Sequence, residues 1–407
     1  MARRRIGWRA GAVAAGAVIA VLLAAAPASA DTIREMQWYL ATVNATQAHQ
    51  VTRGDGVIVA VIDSGVDAGH PDLAGAVLPG ASFLGSTSKD GQTDPDGHGT
   101  KMAGVIAARG GGPNNALGIA PRARILPVAI PNEGQVGSIA EPLRWAVDHG
   151  AQVINLSVAR PAGQALPAGE ADAVAYALAH NVVVVTSAGN RAQMPTGNSL
   201  AMLPGVVAVA GLARSGSFWS GSVEGPFVAV AAPAEDIVNI GARNVYSTGY
   251  STGTGTSEST AIVAGIAALV RAKFPQLDAA NVINRLIRTA VDRGSAARDP
   301  RYGFGTIDAL RAVTVEVAPT DANPLGVAAA TPSAGPTDGL GSGGGDSGSG
   351  AALGRLGLLL GAVACIGLVV LVVVIVAVAR SRRRPVAAPP YPGAPPPYPG
   401  APPPPAS

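Results

Sequence analysis

The chain has 407 residues and a formal net charge of +3, held largely by Arg3 to Arg5 at one end and Arg380, Arg382, Arg383 and Arg384 at the other. So small and so local an excess excludes an argument for a nucleic-acid partner. The lone cysteine, Cys365, excludes an intramolecular disulfide, so a packed core has to stabilise the fold, and a chain of this length can supply one.

Residues 1–30 have the three parts of a secretory signal: basic Arg3 to Arg5, apolar Ala10 to Ala26, and the small-residue cleavage site Ala28-Ser29-Ala30. The mature chain is expected to start at Asp31. The residues after the paired arginines fit a twin-arginine route poorly. Residues 31–56 form a short N-terminal extension, and sequence leaves open whether it blocks a cleft. Residues 57–62, Val-Ile-Val-Ala-Val-Ile, are a continuous apolar run, as a parallel strand buried on both faces requires. Similar runs recur at Val153-Ile154, Val182 to Val185 and Val206 to Val209.

Helical patterns separate these strands. Residues 138–149 place Ile139, Leu143, Ala146 and Val147 on one face, with Ser138 as a candidate N-cap and Gly150 as a stop. Residues 169–180 place Val174 and Leu178 alike. Residues 258–273 carry the clearest helical spacing, Ile262, Val263, Ile266, Leu269 and Val270, before Pro275, and a further helix is expected near 278–290. Strands alternating with helices imply an α/β fold over 57–314: a mostly parallel central sheet with helices on both faces, in three layers.

Residues 315–355 lose periodicity and end in a Gly/Ser-rich tether. Residues 356–379 are apolar and uncharged, and at about 1.5 Å per residue they can cross a ~30 Å hydrocarbon core as one transmembrane helix. The basic flank Arg380-Ser381-Arg382-Arg383-Arg384 marks the cytoplasmic side, which leaves the large middle of the chain extracytoplasmic. The tail, 380–407, repeats Tyr391-Pro392-Gly393-Ala394-Pro395 as Tyr398-Pro399-Gly400-Ala401-Pro402. It reads as solvated extended chain, or as a ligand for a reader of proline-rich peptides.

Three short segments carry chemistry. Asp63 ends the first strand, where sites form in open α/β sheets. His98 lies between Gly97 and Gly99 at a helix start, and Ser257 follows Gly253-Thr254-Gly255-Thr256 at the head of the strongest helix. Singly, Asp63 reads as a turn residue and Ser257 as an N-cap. Together, acid, base and hydroxyl in that chain order match one of the known arrangements of a Ser-His-Asp triad. His149 and His180 end helices, where the dipole accounts for them. His49 and His70 sit near the entry strand, and His70-Pro71-Asp72 reads as a structured loop. No metal site is legible and no cofactor is implied. The acidic stretch Asp90 to Asp96 reads as a solvated loop before His98, with structural calcium as the alternative.

The segments Val59 to Asp67, Asp96 to Thr100, Ser187-Ala188-Gly189-Asn190 and Gly255-Thr256-Ser257 resemble the signature segments of the subtilisin-like serine peptidases. So do His70-Pro71-Asp72-Leu73, Gly118-Ile119-Ala120-Pro121 and Ala232-Pro233. The resemblance covers roughly 38–313 and implies a subtilisin-like fold, with catalytic Asp63, His98 and Ser257. It implies Asn190 as an oxyanion donor and Ser157, Val158, Ala159 and Gly189 in the substrate-binding wall. A signal peptide, short extension, membrane anchor and cytoplasmic tail are further similar to the mycosins, membrane-anchored subtilases of type VII secretion. This chain departs from them in having no ectodomain cysteine.

It also departs from the family near the site. Glu258 and Ala261 stand where small residues and a proline are usual, Lys101-Met102 follow the histidine motif, and Ser157-Val158-Ala159-Arg160 replaces Ser-Leu-Gly-Gly. Arg160 there points to a preference for an acidic or polar group. The leading expectation is a membrane-anchored extracytoplasmic serine endopeptidase acting on protein or peptide substrates, a few exported proteins, beside secretion-complex membrane proteins. The alternatives are a structural component bracing such a complex, with dispensable proteolysis, and a peptide-binding module that never cuts.

Overall fold

The computed structural model describes residues 32–85, 89–131 and 137–326. The expected signal peptide, membrane helix and tail, and most of the tether, lie outside the described residues. Among the described residues no helix is long and apolar enough to cross a membrane.

In chain order the elements are three short helices, α1 (Ile33–Met36), α2 (Trp38–Thr42) and α3 (Ala45–Ala48), then β1 (Ile58–Asp63), β2 (Ala81–Ser82), α4 (His98–Ala107), β3 (Arg124–Ala129), α5 (Ala140–Asp148), β4 (Val153–Leu156), α6 (Glu170–Ala179), β5 (Val183–Ser187), β6 (Val207–Leu212), β7 (Val230–Pro233), β8 (Ile237–Ile240), β9 (Tyr250–Gly253), α7 (Thr256–Lys273), α8 (Ala279–Arg288) and α9 (Ala309–Thr314). A parallel seven-stranded sheet runs β2-β3-β1-β4-β5-β6-β7, and β8 and β9 form a separate antiparallel pair.

The apolar strand runs are continuous because both faces are covered. Along β1, Val59 and Val61 enter a core that includes Met102 of α4 and Ile262 of α7, while Ala60 and Ile62 enter a second core with Leu143 of α5 and Val174 of α6. Alternation with period two therefore divides a uniformly apolar strand between two helix layers. Helix α7 is apolar almost all round and sits buried across the sheet, as such a helix must.

The sequence pattern did not disclose β3, because Pro127 interrupts it and proline demotes a run to edge or loop. The proline is tolerated for a directional reason. The Ile125 N–H donates to Ala76 and the Ala129 carbonyl accepts from Phe83, so this side of β3 faces the sheet edge. By the period of two, Pro127 N also faces the edge. The β2 ladder reaches only Val128 and Ala129, and the β1 ladder loses nothing.

Two helix starts differ from expectation. Helix α5 begins after Ile139 rather than on a Ser138 cap, and α7 begins at Thr256, so Ser257 and Glu258 lie inside its first turn. The N-terminal extension is part of the domain: Tyr39, Leu40, Val43, Ala45 and Ala48 are buried in the first core, and the Val43 carbonyl accepts from Ala309.

Candidate active site

Asp63, His98 and Ser257 line one open cleft of about 340 Å³ at the carboxyl ends of the strands. None of the described residues of the N-terminal extension lines it.

The end of β1 and the start of α4 meet backbone to backbone. A Cβ on Gly99 would fall 2.1 Å from the Gly65 carbonyl oxygen and 3.1 Å from Asp63 Cβ, so only glycine permits the approach. Gly97, at φ 91°, caps α4 without a side chain. Asp94 supplies the missing acceptor from the preceding loop: Oδ1 accepts from the Gly97 N–H at 2.8 Å and Oδ2 from the Thr100 N–H at 2.8 Å and hydroxyl at 2.6 Å. The Ser64 hydroxyl donates to Asp94 at 2.8 Å and accepts from the Gly99 N–H at 3.0 Å, tying strand end to helix start. Asp94, which sequence placed in a solvated acidic loop, is thus a buried anchor for the helix that carries His98.

This scaffold fixes Asp63, which accepts from the Ser64 N–H at 2.7 Å. Both its carboxylate oxygens lie 2.9 Å from His98 Nδ1. A carboxylate only accepts, so Nδ1 carries the hydrogen, and in the neutral imidazole Nε2 is the nitrogen left to accept. The Asp63 side chain is 5% exposed and that of His98 30% exposed. Burial pulls the imidazole down from its ordinary 6.5, but the charge of Asp63, its hydrogen bond and the charge of Glu258 outweigh burial. Lys101 opposes them, and His98 is pushed up to about 9. The Ser257 hydroxyl makes no hydrogen bond to His98 among the described residues; in resting sites such bonds are commonly long and shorten on substrate binding.

Asn190, three residues past the end of β5, has a settled amide orientation. Its Oδ1 accepts from both the N–H and the hydroxyl of Thr256 at 2.9 Å. A backbone N–H only donates, so the atom facing it is the oxygen, and Nδ2 is the end left for the cleft that Asn190 lines. Ser257 is the second residue of α7, where backbone N–H groups lack intrahelical partners and the dipole favours negative charge.

Of the expected binding wall, Ser157 and Val158 line the cleft, whereas Ala159 and Gly189 lie outside its lining. Gly189 serves the turn before Asn190, at φ 114°. Arg160 does not offer a cation to substrate as sequence suggested: its guanidinium donates to fully buried Glu170 at 2.7 Å, which also accepts from the Ile139 N–H at 3.0 Å. The remaining histidines have structural partners. His49 meets the Ile119 carbonyl and His70 that of Gly249, both at 2.8 Å, while His149 stacks on Trp145 and His180 lies tilted against Tyr176. Sequence reasoning named neither Ser64 nor Thr256 as parts of this site; the only signal was their position beside Asp63 and Ser257. Among the described residues no group of three or more acidic, histidine or cysteine side chains is placed to hold a metal ion.

An open parallel sheet that gathers an acid, an imidazole and a hydroxyl at its carboxyl edge has the parts of a serine hydrolase. The profile of the Subtilase family, Peptidase S8, matches residues 54–305, and the chain belongs to that family of serine proteases. Mycosin-1 of Mycobacterium tuberculosis is 33% identical over 338 residues, covering 70% of this chain and 75% of the relative. A thermostable alkaline protease of Halalkalibacterium halodurans is 34% identical over 284 residues, covering 68% and 73%. Among solved structures, MycP1 with its N-terminal propeptide removed superposes with a TM-score of 0.61 at 30% identity, covering 69% of this chain and 97% of that one.

Proposed function

We propose that the protein is a membrane-anchored, extracytoplasmic serine endopeptidase that cuts a few exported proteins through an acyl-enzyme. The observation that carries this reading is the double 2.9 Å approach of Asp63 to His98 Nδ1 in the cleft that Ser257 also lines. Ser257 Oγ attacks the peptide carbonyl. His98 Nε2 takes its proton and later delivers it to the leaving amine, while Asp63 holds the tautomer and stabilises the imidazolium. Asn190 Nδ2 and the Ser257 N–H hold the oxyanion, and water then hydrolyses the ester.

Anchoring rests on the apolar run 356–379 and its basic flank, with the secretory signal at 1–30. Relatedness to the mycosins, with solved relatives described as components of type VII secretion systems, supports secretion-complex membrane proteins as neighbours. The engaged Asp63–His98 pair supports catalysis over a purely bracing role.

The test is labelling of the membrane-embedded protein with a fluorophosphonate probe. Labelling that disappears in Ser257→Ala and in His98→Ala is expected. A folded wild type that does not label would overturn the reading.

A further inference from the structure

Glu258 is the feature of the cleft that the mechanism leaves unused. It is the third residue of α7, 5% exposed, and it lines the same cleft as Ser257 and His98. A glutamate at this helix position commonly reaches back to the N–H of the N-cap residue. That role is taken, because the Gly255 N–H donates to the Ala234 carbonyl. Its carboxylate instead occupies a slot over two glycines. A Cβ on Gly253 would lie 2.0 Å from Glu258 Oε1, and one on Gly255 would lie 3.0 Å from Oε2. Among the described residues no arginine or lysine comes within ion-pair distance of it.

The imidazole therefore stands among charges from four segments. Asp63 binds it from the end of β1. Asp94 and Asp96 lie in the loop ahead of it, Asp94 engaged by the α4 N-terminus. Lys101 is one turn along its own helix and opposes the acids. Glu258 faces the cleft from α7, and the Tyr246 ring lies against Gly97.

We propose that Glu258 is a positioning residue for His98: a second carboxylate, seated on the glycines at 253 and 255, whose charge holds the imidazolium and confines turnover to alkaline conditions. This rests on the catalytic reading of Ser257 and His98. The Glu258 carboxyl lies above the ordinary carboxylate range on balance: burial is the largest cause and Asp63 adds to it, while His98, Lys101 and its own backbone N–H pull towards the charged form. The α7 dipole adds to the support for the charge. Each carboxylate beside the imidazole makes it a stronger base and a smaller fraction of it neutral at pH 7.

The test follows the His98 imidazole by NMR, with selectively labelled histidine, in full-length Ser257→Ala protein in detergent micelles, with and without Glu258→Gln. Glu258→Gln is expected to lower the midpoint by about one pH unit, Glu258→Asp to stay near the parent, and Lys101→Met to raise it. The acid limb of fluorophosphonate labelling, on the Ser257 background, moves the same way, so Glu258→Gln labels roughly tenfold faster at pH 7. A merely structural glutamate would change the amount of folded protein and leave the midpoint in place. If Glu258→Gln does not fold, Glu258→Met, which buries no polar group, makes the same measurement. An unchanged His98 midpoint in the folded variant overturns the proposal, including the case in which Glu258 stays protonated throughout. Because the titration needs no turnover, a wild type that never labels would refute the catalytic reading while the midpoint still decides the role of Glu258.

Discussion

The pH dependence of the cleft puts activity and stability in opposition. In the proposed mechanism His98 serves as a base only when Nε2 is unprotonated, and its imidazole is pushed up to about 9. At pH 7 about 1% of the sites are then neutral, and each unit of pH up to the midpoint raises acylation roughly tenfold. Fluorophosphonate labelling at pH 7 should therefore run about a hundredfold below its alkaline plateau. Stability has the opposite sign. A group whose pKa is raised from 6.5 by folding contributes fully below 6.5 and loses its contribution as pH rises through about 9. The loss is at most roughly 3 kcal/mol, and less in practice because water screens a side chain that is 30% exposed. The assays are labelling rate against pH for the wild type, and thermal unfolding against pH for Ser257→Ala with and without Asp63→Asn. Asp63→Asn should remove most of the alkaline loss of stability along with the activity. A labelling rate that is level between pH 7 and 9, in protein that stays folded, would refute the charge argument.

Other expectations follow from single contacts. With Asn190 in its proposed place as an oxyanion donor, Asn190→Ala should lower kcat by about 10²–10³-fold with little change in KM, the cost of removing one such donor from a serine protease; steady-state kinetics on a peptide substrate check it. Glu170→Ala strips the carboxylate from Arg160 and the acceptor from Ile139 in a fully buried place, and should cost about 3–5 kcal/mol, read as a fall in thermal midpoint. Gly99→Ala forces α4 away from β1, because its Cβ would meet the Gly65 carbonyl at 2.1 Å. Labelling should drop by about a hundredfold as the Asp63–His98 contact is disturbed, whereas Gly137→Ala, which meets nothing within 4 Å, should label like wild type.

Local sequence was enough for what depends on local demands. The runs at 57–62, 182–185 and 206–209 announce strands buried on both faces, and the spacing after Ser257 announces α7. The meeting of Asp63, His98, Asn190 and Ser257 in one cleft was legible because glycines and short motifs around them answer to steric needs within a few residues. Strand β3 was hidden by Pro127, whose tolerance depends on which neighbour its nitrogen faces. Strands β2, of two residues, and β7 and β9, of four each, carry neither alternation nor a run of β-branched residues like the one that marked β4 at Val153-Ile154, so periodicity does not distinguish them from loop. Strand β8 carries such a pair, Ile237-Val238, and is the one of these that the sequence pattern could have shown.

Sequence by itself determined the class of fold, the order of acid, base and hydroxyl, and the apolar run that follows the domain. Tertiary structure alone decided which charges act on the cleft. Arg160 turns to Glu170, Asp94 is spent on the head of α4, and Glu258 is buried in the cleft that His98 also lines. Electrostatic interaction depends on distance and desolvation, and both are set by how α4, α6 and α7 pack on the sheet rather than by spacing along the chain.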